Sequence, residues 1–293
     1  MSGGLESSRS PMPRYDYQPL YHLPVFANPN GMLAGKRARP GQEQGSERIS
    51  DIHDWPWESA RLFVPDAMFP TDVGMTLVRA IEEGELSFRS ARVLDIGCGA
   101  GLHTITAPIA GASKVTAIDV HPPAVAATAW NVLANELPLD RVELEATALC
   151  DFEAHARFDI VMCNPPHFPS DASYDGGRGV DIAALGGATG RALYDQLLPA
   201  ADRWLTDGGT LLISHSSLTD IPATRRQFTE AGYRVVTLLR HSMDLNLLAY
   251  AKKWDSLWSN MLQLRAKGRA HFTDKRFFVD ALAISRPIWG DTW

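Results

Sequence analysis

The sequence predicts an α/β fold in which seven strands form a mostly parallel sheet with helices on both faces. Three observations lead to this prediction. Short apolar runs of strand length alternate with segments that carry apolar residues every three or four positions, as amphipathic helices do. Glycines and prolines separate these segments. The chain has 293 residues, 45% of them apolar, which is enough to bury both faces of a sheet whose parallel strands are joined by helical crossovers.

The predicted elements follow one another from about residue 62 to the end of the chain. A helix ends near residue 86, and two prolines open a second helix over 122–137. A third helix is predicted over 190–205. Strands are predicted at 91–97, 113–119, 141–147, 158–164, 209–216, 233–239 and 277–285. In such a sheet, ligands bind beyond the carboxyl ends of the strands, where the strand order reverses.

The chain is predicted to consist of an extension and one domain. Residues 1–61 are rich in Pro, Gly and Ser and lack sustained periodicity. We predict that they form a partly mobile N-terminal extension, which could act as a lid or as an arm between subunits. Residues 62–293 form the predicted domain. A helical insertion is predicted at 241–276, before the last strand.

Charge is unevenly distributed along the chain. The net charge is −6, but residues 225–276 hold 11 Lys or Arg against 4 Asp or Glu, a net of +7, so the remainder carries −13. The overall negative charge does not favour general nucleic-acid binding. The basic stretch that includes 247–272 could be a lid, a peptide groove or an RNA-contacting face, and a lid or a subunit contact is preferred over RNA contact.

Composition also predicts the cellular compartment. No apolar run approaches the roughly 20 residues that cross a bilayer, and the first residues lack a signal-peptide pattern. The three cysteines, Cys98, Cys150 and Cys163, lie beside or inside predicted strands, which favours reduced core thiols. We therefore predict a cytoplasmic protein without a membrane partner. No histidine pair has metal-ligand spacing with carboxylate support, so no metal is predicted.

The first predicted strand runs into a glycine-rich turn, VLDIGCGAG at 93–101. Asp95 lies inside the strand, and Gly97, Gly99 and Gly101 alternate with Cys98 and Ala100 in the turn. Glycine permits positive φ and allows a ligand to approach the backbone closely. The dinucleotide fingerprint needs its third glycine one position later, where Leu102 stands. This spacing favours a nucleoside cofactor other than NAD.

Carboxylates follow the second and third predicted strands. Asp119, followed by Val120, comes 18 residues after Gly101 and could accept hydrogen bonds from both ribose hydroxyls of a nucleoside. It could equally cap a helix. Asp151 could accept an adenine amino group and Phe152 could pack on the base. A turn aspartate and a core phenylalanine are the alternative for this pair.

The fourth predicted strand ends in DIVMCNPPHF at 159–168. Two prolines stiffen the chain in an extended form and remove two backbone donors. The side-chain oxygen of Asn164 and the carbonyl oxygen of Pro165 could therefore hold the two hydrogens of a planar NH2 group. Pro166, His167 and Phe168 are the candidate contacts to the rest of that acceptor.

Taken together, the glycine turn, Asp119, the Asp151–Phe152 pair and Asn-Pro-Pro resemble the class I S-adenosylmethionine-dependent methyltransferases of the Asn-Pro-Pro-aromatic branch. Residues 63–81 and 183–214 are similar to segments of the HemK-type glutamine methyltransferases. The resemblance implies a Rossmann-like fold with S-adenosyl-L-methionine as cofactor and Asp95 near its methionine amino group. The implied cofactor-binding residues are Asp95, Gly97, Cys98, Gly99, Gly101, Asp119, Val120, Asp151, Phe152 and Asn164.

The resemblance implies that a nitrogen lone pair attacks the sulfonium methyl group directly, aligned by Asn164, Pro165 and His167. Where the family carries Tyr, Phe or Trp after Asn-Pro-Pro, this chain has His167, which could stack, accept a proton or do neither. The N-terminal segment differs from the helical domain of HemK-type enzymes, which does not favour release factors as substrates. A small molecule or a peptide is the preferred acceptor; a nucleic-acid amino group, or a non-catalytic nucleoside-binding module, is the alternative.

Overall fold

The structure is a computed structural model that describes residues 62, 64, 73–84, 86–170, 183–245 and 255–286. The N-terminal extension predicted over 1–61 lies outside the described residues. The helices are α1 Met75–Glu82, α2 Leu102–Ile109, α3 Pro122–Ala134, α4 Leu197–Trp204, α5 Ile221–Glu230 and α6 Asp255–Ala266.

Seven strands form one sheet in the order β3-β2-β1-β4-β5-β7-β6. They are β1 Arg92–Ile96, β2 Lys114–Asp119, β3 Val142–Ala146, β4 Phe158–Cys163, β5 Leu205–Ser216, β6 Arg234–Asp244 and β7 Arg276–Ser285. The first five strands pair in parallel, whereas β7 is antiparallel to both β5 and β6. The predicted mostly parallel α/β sheet is confirmed.

The strand order reverses between β1 and β4. After β1 the chain moves outward to β2 and β3, then returns to place β4 on the other side of β1. Ile96 pairs with Cys163 at the carboxyl ends of these two strands. The glycine turn and the Asn-Pro-Pro motif therefore leave the sheet side by side, where open α/β sheets bind ligands.

Alternation along the central strands creates two buried layers. Leu94 and Val161 belong to one apolar cluster, and Val93 and Ile160 belong to the other, because successive side chains of a strand point to opposite faces. Trp204 of α4 packs in the first layer, and α1 contributes to the second. The sheet is thus covered on both faces, as its near-continuous apolar strands require.

Some boundaries differ from the predicted ones. The helix predicted over 190–205 is shorter, with a 3₁₀ turn at Tyr194–Gln196 followed by α4. Strand β6 continues to Asp244, so the first residues of the predicted insertion 241–276 are strand, and α6 lies within that range. Cys98 and Cys163 are buried free thiols, but Cys150 is exposed. Among the helices of the described residues, none is both long enough and apolar enough to span a membrane.

Candidate cofactor and acceptor site

A cavity of about 360 Å³ lies at the carboxyl ends of β1, β2 and β4; we call it the strand-end cavity. A volume of this size suits a small-molecule cofactor. Its lining comes from five places in the sequence. These are Ile96–Ala100 with Leu102 and His103; Ile118–His121 with Ala124; Thr147 and Leu149; Asn164 and Pro166; and Ala183, Leu185, Gly186, Ala192, Leu193 and Gln196.

The glycine turn leaves room for a ligand against its backbone. Gly97 and Gly99 have φ values of 72° and 56°, and a β-carbon at either position would meet no atom within 4 Å. The open side of the turn therefore faces the cavity. The turn is fixed from below, because the amides of Gly97 and Cys98 both donate to the Ile118 carbonyl, at 2.8 and 3.0 Å. Gly101, at φ 92°, starts α2.

Asp119 is held at the end of β2 by two backbone amides. Its Oδ2 accepts from the Gly99 amide at 2.9 Å, and its Oδ1 accepts from the His121 amide at 2.8 Å. Burial raises the pKa of the Asp119 carboxyl, and these two hydrogen bonds oppose that rise. Each oxygen keeps acceptor capacity for a further donor. The side chain is therefore fixed in place to accept ribose hydroxyls, with Val120, 56% exposed, beside it at the cavity edge.

Asp95 lies beneath the cavity rather than in its lining. The side chain is fully buried, and its Oδ2 accepts from the Thr104 hydroxyl at 2.6 Å. Its Oδ1 lies 3.7 Å from Nδ1 of His103, and no described residue makes a hydrogen bond to it. His103 does line the cavity. His103 is therefore a lining residue that lies next to the buried Asp95 carboxylate.

The structure does not bring Asp151 and Phe152 into the cavity. Asp151 is exposed, and Phe152 is 3% exposed, with its ring edge-on to Trp204 at 5.2 Å between centroids. The lining after β3 is instead formed by Thr147 and Leu149. Phe152 is drawn into the core because burying an aromatic ring against another is strongly favourable.

Asn164 lies at the cavity, directly after β4, and its side chain is held by β5. Its Oδ1 accepts from the hydroxyl of Ser214, a residue that is fully buried. The backbone carbonyl of Ser214 in turn accepts from the Tyr194 hydroxyl at 3.0 Å. Neither Ser214 nor Tyr194 was among the predicted site residues, since both are remote in sequence from the motif that they support.

The remainder of the Asn-Pro-Pro segment divides between cavity and core. Pro166 lines the cavity, while Pro165 is buried and its carbonyl oxygen lies 3.4 Å from Nδ1 of His167. His167 and Phe168 are 5% and 3% exposed, with ring centroids 4.8 Å apart, and neither lines the cavity. The predicted contact of these two rings with an acceptor is therefore not part of the strand-end cavity.

A loop that precedes α4 fixes this segment from the other side. The amides of His167 and Phe168 donate to the Ala184 carbonyl, and the Gly186 amide donates to the Phe168 carbonyl. A β-carbon at Gly186 would lie 2.7 Å from the Pro166 carbonyl oxygen, and one at Gly190 would lie 2.5 Å from that of His167. Glycine is thus required where this loop meets the acceptor segment.

Burial gives His167 a testable effect on stability. It lowers the pKa of His167 from 6.5 to about 4, against a smaller opposing effect of the Pro165 carbonyl. Between these two values the unfolded chain binds a proton that the folded chain does not, so the free energy of unfolding falls as pH falls. We expect His167 to lower the free energy of unfolding by at most about 1.4 kcal/mol for each pH unit between 6.5 and about 4, and to cause no further loss below about pH 4.

The variant His167→Phe isolates this contribution. Denaturant unfolding of both proteins between about pH 3 and pH 7.5 should show the native protein losing stability faster than His167→Phe as pH falls from 6.5 towards 4. Below pH 4 the difference should stop growing. Parallel stability curves for the two proteins would contradict a neutral, buried His167.

No group of three or more metal-ligating side chains occurs within the part of the chain that the structure describes.

The family model of the ribosomal protein L11 methyltransferases (PrmA) matches residues 75–165, a range that includes the glycine turn, Asp119 and Asn164. The nucleoside of S-adenosylmethionine fits this part of the site, because the backbone is open at Gly97 and Gly99 and the carboxylate of Asp119 is fixed.

Three proteins with similar sequences are all named as methyltransferases. A putative protein N5-glutamine methyltransferase of Methanocaldococcus jannaschii is 26% identical over 191 residues, covering 65% of this chain and 92% of that protein. A ribosomal protein L11 methyltransferase of Methylococcus capsulatus is 28% identical over 199 residues, 50% of this chain and 67% of that protein. A tRNA1(Val) (adenine(37)-N6)-methyltransferase of Phocaeicola vulgatus is 30% identical over 116 residues, 36% of this chain and 49% of that protein. With the fold and the cavity, these matches show that the chain is an S-adenosylmethionine-dependent methyltransferase.

Proposed function

We propose that the chain transfers a methyl group from S-adenosylmethionine to an amide or amino nitrogen of a protein or peptide. The observation that carries this proposal is Asn164, whose amide group stands at the strand-end cavity beside the glycine turn. A fixed carbonyl-type acceptor suits the hydrogens of a planar nitrogen. A protein acceptor is supported by the similarity to proteins named as glutamine and ribosomal-protein methyltransferases.

In this proposal the residues of the chain align the acceptor rather than activate it with a base. Asn164 Oδ1, held by Ser214, and the Pro165 carbonyl would each accept one hydrogen of the NH2 group, which aims the nitrogen lone pair at the cavity. The cofactor supplies an electrophilic methyl group on a sulfonium. Alignment and exclusion of water are the main contributions expected of the protein.

Cofactor contacts are proposed for the residues that line the cavity. The backbone from Gly97 to Ala100, including Cys98, would contact the cofactor, and Asp119 with Val120 would hold its ribose. Gly101, which was also predicted as a cofactor contact, packs against Thr128 and does not line the cavity. Asp95 would act through His103, which lines the cavity and whose Nδ1 lies 3.7 Å from the Asp95 carboxylate. Thr147 and Leu149 stand where adenine contacts were predicted for Asp151 and Phe152.

We propose that His167 takes a positioning role instead of stacking on the acceptor or accepting its proton. Its ring is buried and its Nδ1 contacts the Pro165 carbonyl at 3.4 Å. This contact, together with the two-proline backbone, would hold that carbonyl in one direction. Pro166 would then be the part of the motif that contacts the acceptor.

Methylation of a nucleic-acid amino group is the second candidate. It is supported by the similarity to a tRNA adenine-N6 methyltransferase and by the net charge of +7 over residues 225–276. Adenine N6 is also a planar NH2 group, so the same two acceptors could hold it.

One labelling experiment separates these candidates. The protein would be incubated with S-adenosylmethionine carrying a labelled methyl group and an extract of cells, and the label would be followed into the protein, RNA and small-molecule fractions. We expect label in the protein fraction, and its loss when Asn164→Ala replaces the native enzyme. Label in RNA would establish the second candidate, and label confined to small molecules would refute both.

A further inference from the structure

A second cavity, of about 460 Å³, lies on the β6–β7 side of the acceptor segment. We call it the basic cavity. The residues that matter for its chemistry are Arg265, His271, Phe272, Arg276, Phe277 and Phe278. Arg265 belongs to α6 and the others belong to β7 and the turn before it. No residue of the strand-end cavity contributes to it.

The basic cavity opens at the same edge of the sheet as the strand-end cavity. Ser216, at the carboxyl end of β5, pairs with Val279, so the residues of β7 before Val279 extend past that edge. The ring of Phe277 lies 6.3 Å from that of His167, and Phe277 shares a buried cluster with Phe168. One apolar layer therefore backs both the basic cavity and the Asn-Pro-Pro segment.

Two guanidinium groups are positioned to receive an anion there. Arg265 lies over the ring of Phe272, 5.2 Å from its centroid. Arg276 is 58% exposed and lies 3.7 Å from the carboxylate of Asp244, which is itself 92% exposed. An ion pair this long and this exposed contributes little and is easily exchanged for another partner. Arg269, by contrast, is bound to the buried Asp220 at 2.7 Å.

The aromatic rings of the basic cavity favour a carboxylate ligand over a nucleic acid. Binding of single-stranded nucleic acid depends on exposed ring faces on which bases can stack. Here Arg265 covers a face of Phe272, Arg240 lies 4.0 Å over Phe278, and Phe277 is 7% exposed. A guanidinium group can instead bind a carboxylate through a pair of hydrogen bonds, and this does not need a free ring face.

We propose that the basic cavity binds an acidic segment of the acceptor protein and so positions the methylated nitrogen at Asn164. This inference rests on the proposed function insofar as the acceptor is a protein. Glu or Asp side chains would bind Arg265 and Arg276, and the shared apolar layer would place the neighbouring part of the acceptor against the Asn-Pro-Pro segment.

The site can be tested without knowing the acceptor. Binding of a fluorescein-labelled hexaglutamate peptide to the full-length protein would be measured by fluorescence anisotropy at low salt. We expect Arg265→Glu/Arg276→Glu to weaken binding at least tenfold. The matched control is Arg203→Glu/Arg226→Glu, which reverses the same number of charges at exposed positions of α4 and α5 outside the basic cavity and should change affinity less than threefold. Affinity for S-adenosylmethionine, measured by calorimetry, shows that each variant is folded.

Two results would overturn the proposal. One is equal hexaglutamate affinity in the native protein and the Arg265/Arg276 double variant. The other is a hexathymidylate oligonucleotide that binds as tightly as hexaglutamate and loses affinity in the same variant, which would assign the cavity to nucleic acid. These readouts do not depend on methyl transfer. Label in the protein fraction together with either result would therefore reject the basic cavity alone, whereas label in RNA would reject the proposed function.

Discussion

Replacing Asn164 with alanine is expected to reduce the turnover number by about 100-fold or more, while the S-adenosylmethionine affinity stays within a few fold of the native value. The reason is that Asn164 Oδ1 is the side-chain acceptor that we propose for the NH2 group, whereas the glycine turn and Asp119 do not depend on it for any of their hydrogen bonds. Turnover would be measured as the initial rate of label transfer, and affinity by calorimetry.

The support from Ser214 gives this prediction an internal control. Ser214→Ala removes the hydroxyl that donates to Asn164 Oδ1 but leaves the amide in place, so the loss of turnover should be smaller than for Asn164→Ala. In the double variant, most of the Ser214 effect should disappear, because both act through one group. Equal loss of cofactor affinity and turnover in Asn164→Ala would show that Asn164 serves the fold instead.

The parts of the strand-end cavity whose location could be predicted from the sequence are those determined by local pattern, and the roles of their residues stay predictions. The glycine turn could be located because its glycines must adopt positive φ at the end of a buried strand. Asn164 could be located because two prolines stop the apolar run that contains β4. Both signals depend on residues within a few positions of each other. The alternation of strands and helices then places the glycine turn and Asn164 at the same edge of a parallel sheet.

The parts that the sequence could not predict are determined by contacts between distant segments. Ser214 is 50 residues from Asn164, and no local feature marks its hydroxyl as a partner of that amide. The positions of Phe152 and His167 depend on which apolar layer takes their rings, namely the layer of Trp204 for the first and that of Phe277 for the second. The sequence left both a ligand contact and a structural role open for these two residues, since an aromatic ring suits a cofactor and a core equally well.

The structure of the loop from 183 to 192 could be predicted only in part. Its glycines, Gly186 and Gly190, could be recognised in the sequence as unfavourable for a helix, but the lack of room for a β-carbon at these positions could not. What they approach, the carbonyls of Pro166 and His167, is visible only in the folded chain. The acceptor segment is therefore shaped from two sides, by β5 through Ser214 and by this loop, and its geometry is a property of the whole carboxyl edge of the sheet.

Replacing Asp119 with alanine should have the opposite effect. We expect it to weaken S-adenosylmethionine binding by about 100-fold and to change the rate at saturating cofactor much less. The loss combines the hydrogen bonds that we propose to ribose with the amides of Gly99 and His121, which lose their common acceptor; a hydrogen bond to a charged group contributes about 1.5–3 kcal/mol. The affinity of Asp119→Asn for S-adenosylmethionine should lie between those of Asp119→Ala and the native protein, because the single carbonyl oxygen of asparagine can accept well from only one of these amides.

Calorimetric titration of S-adenosylmethionine into Asp119→Ala, Asp119→Asn and the native protein provides the measurement. The matched control is Asp140→Asn, which removes a carboxylate from an exposed position outside the cavity lining and should leave the affinity unchanged. If Asp119→Ala bound the cofactor normally but transferred methyl groups slowly, the ribose would have to be held elsewhere. The fixed carboxylate at the end of β2 would then serve only to anchor the glycine turn through Gly99, and the orientation of the cofactor between Asp119 and Asn164 would have to be revised.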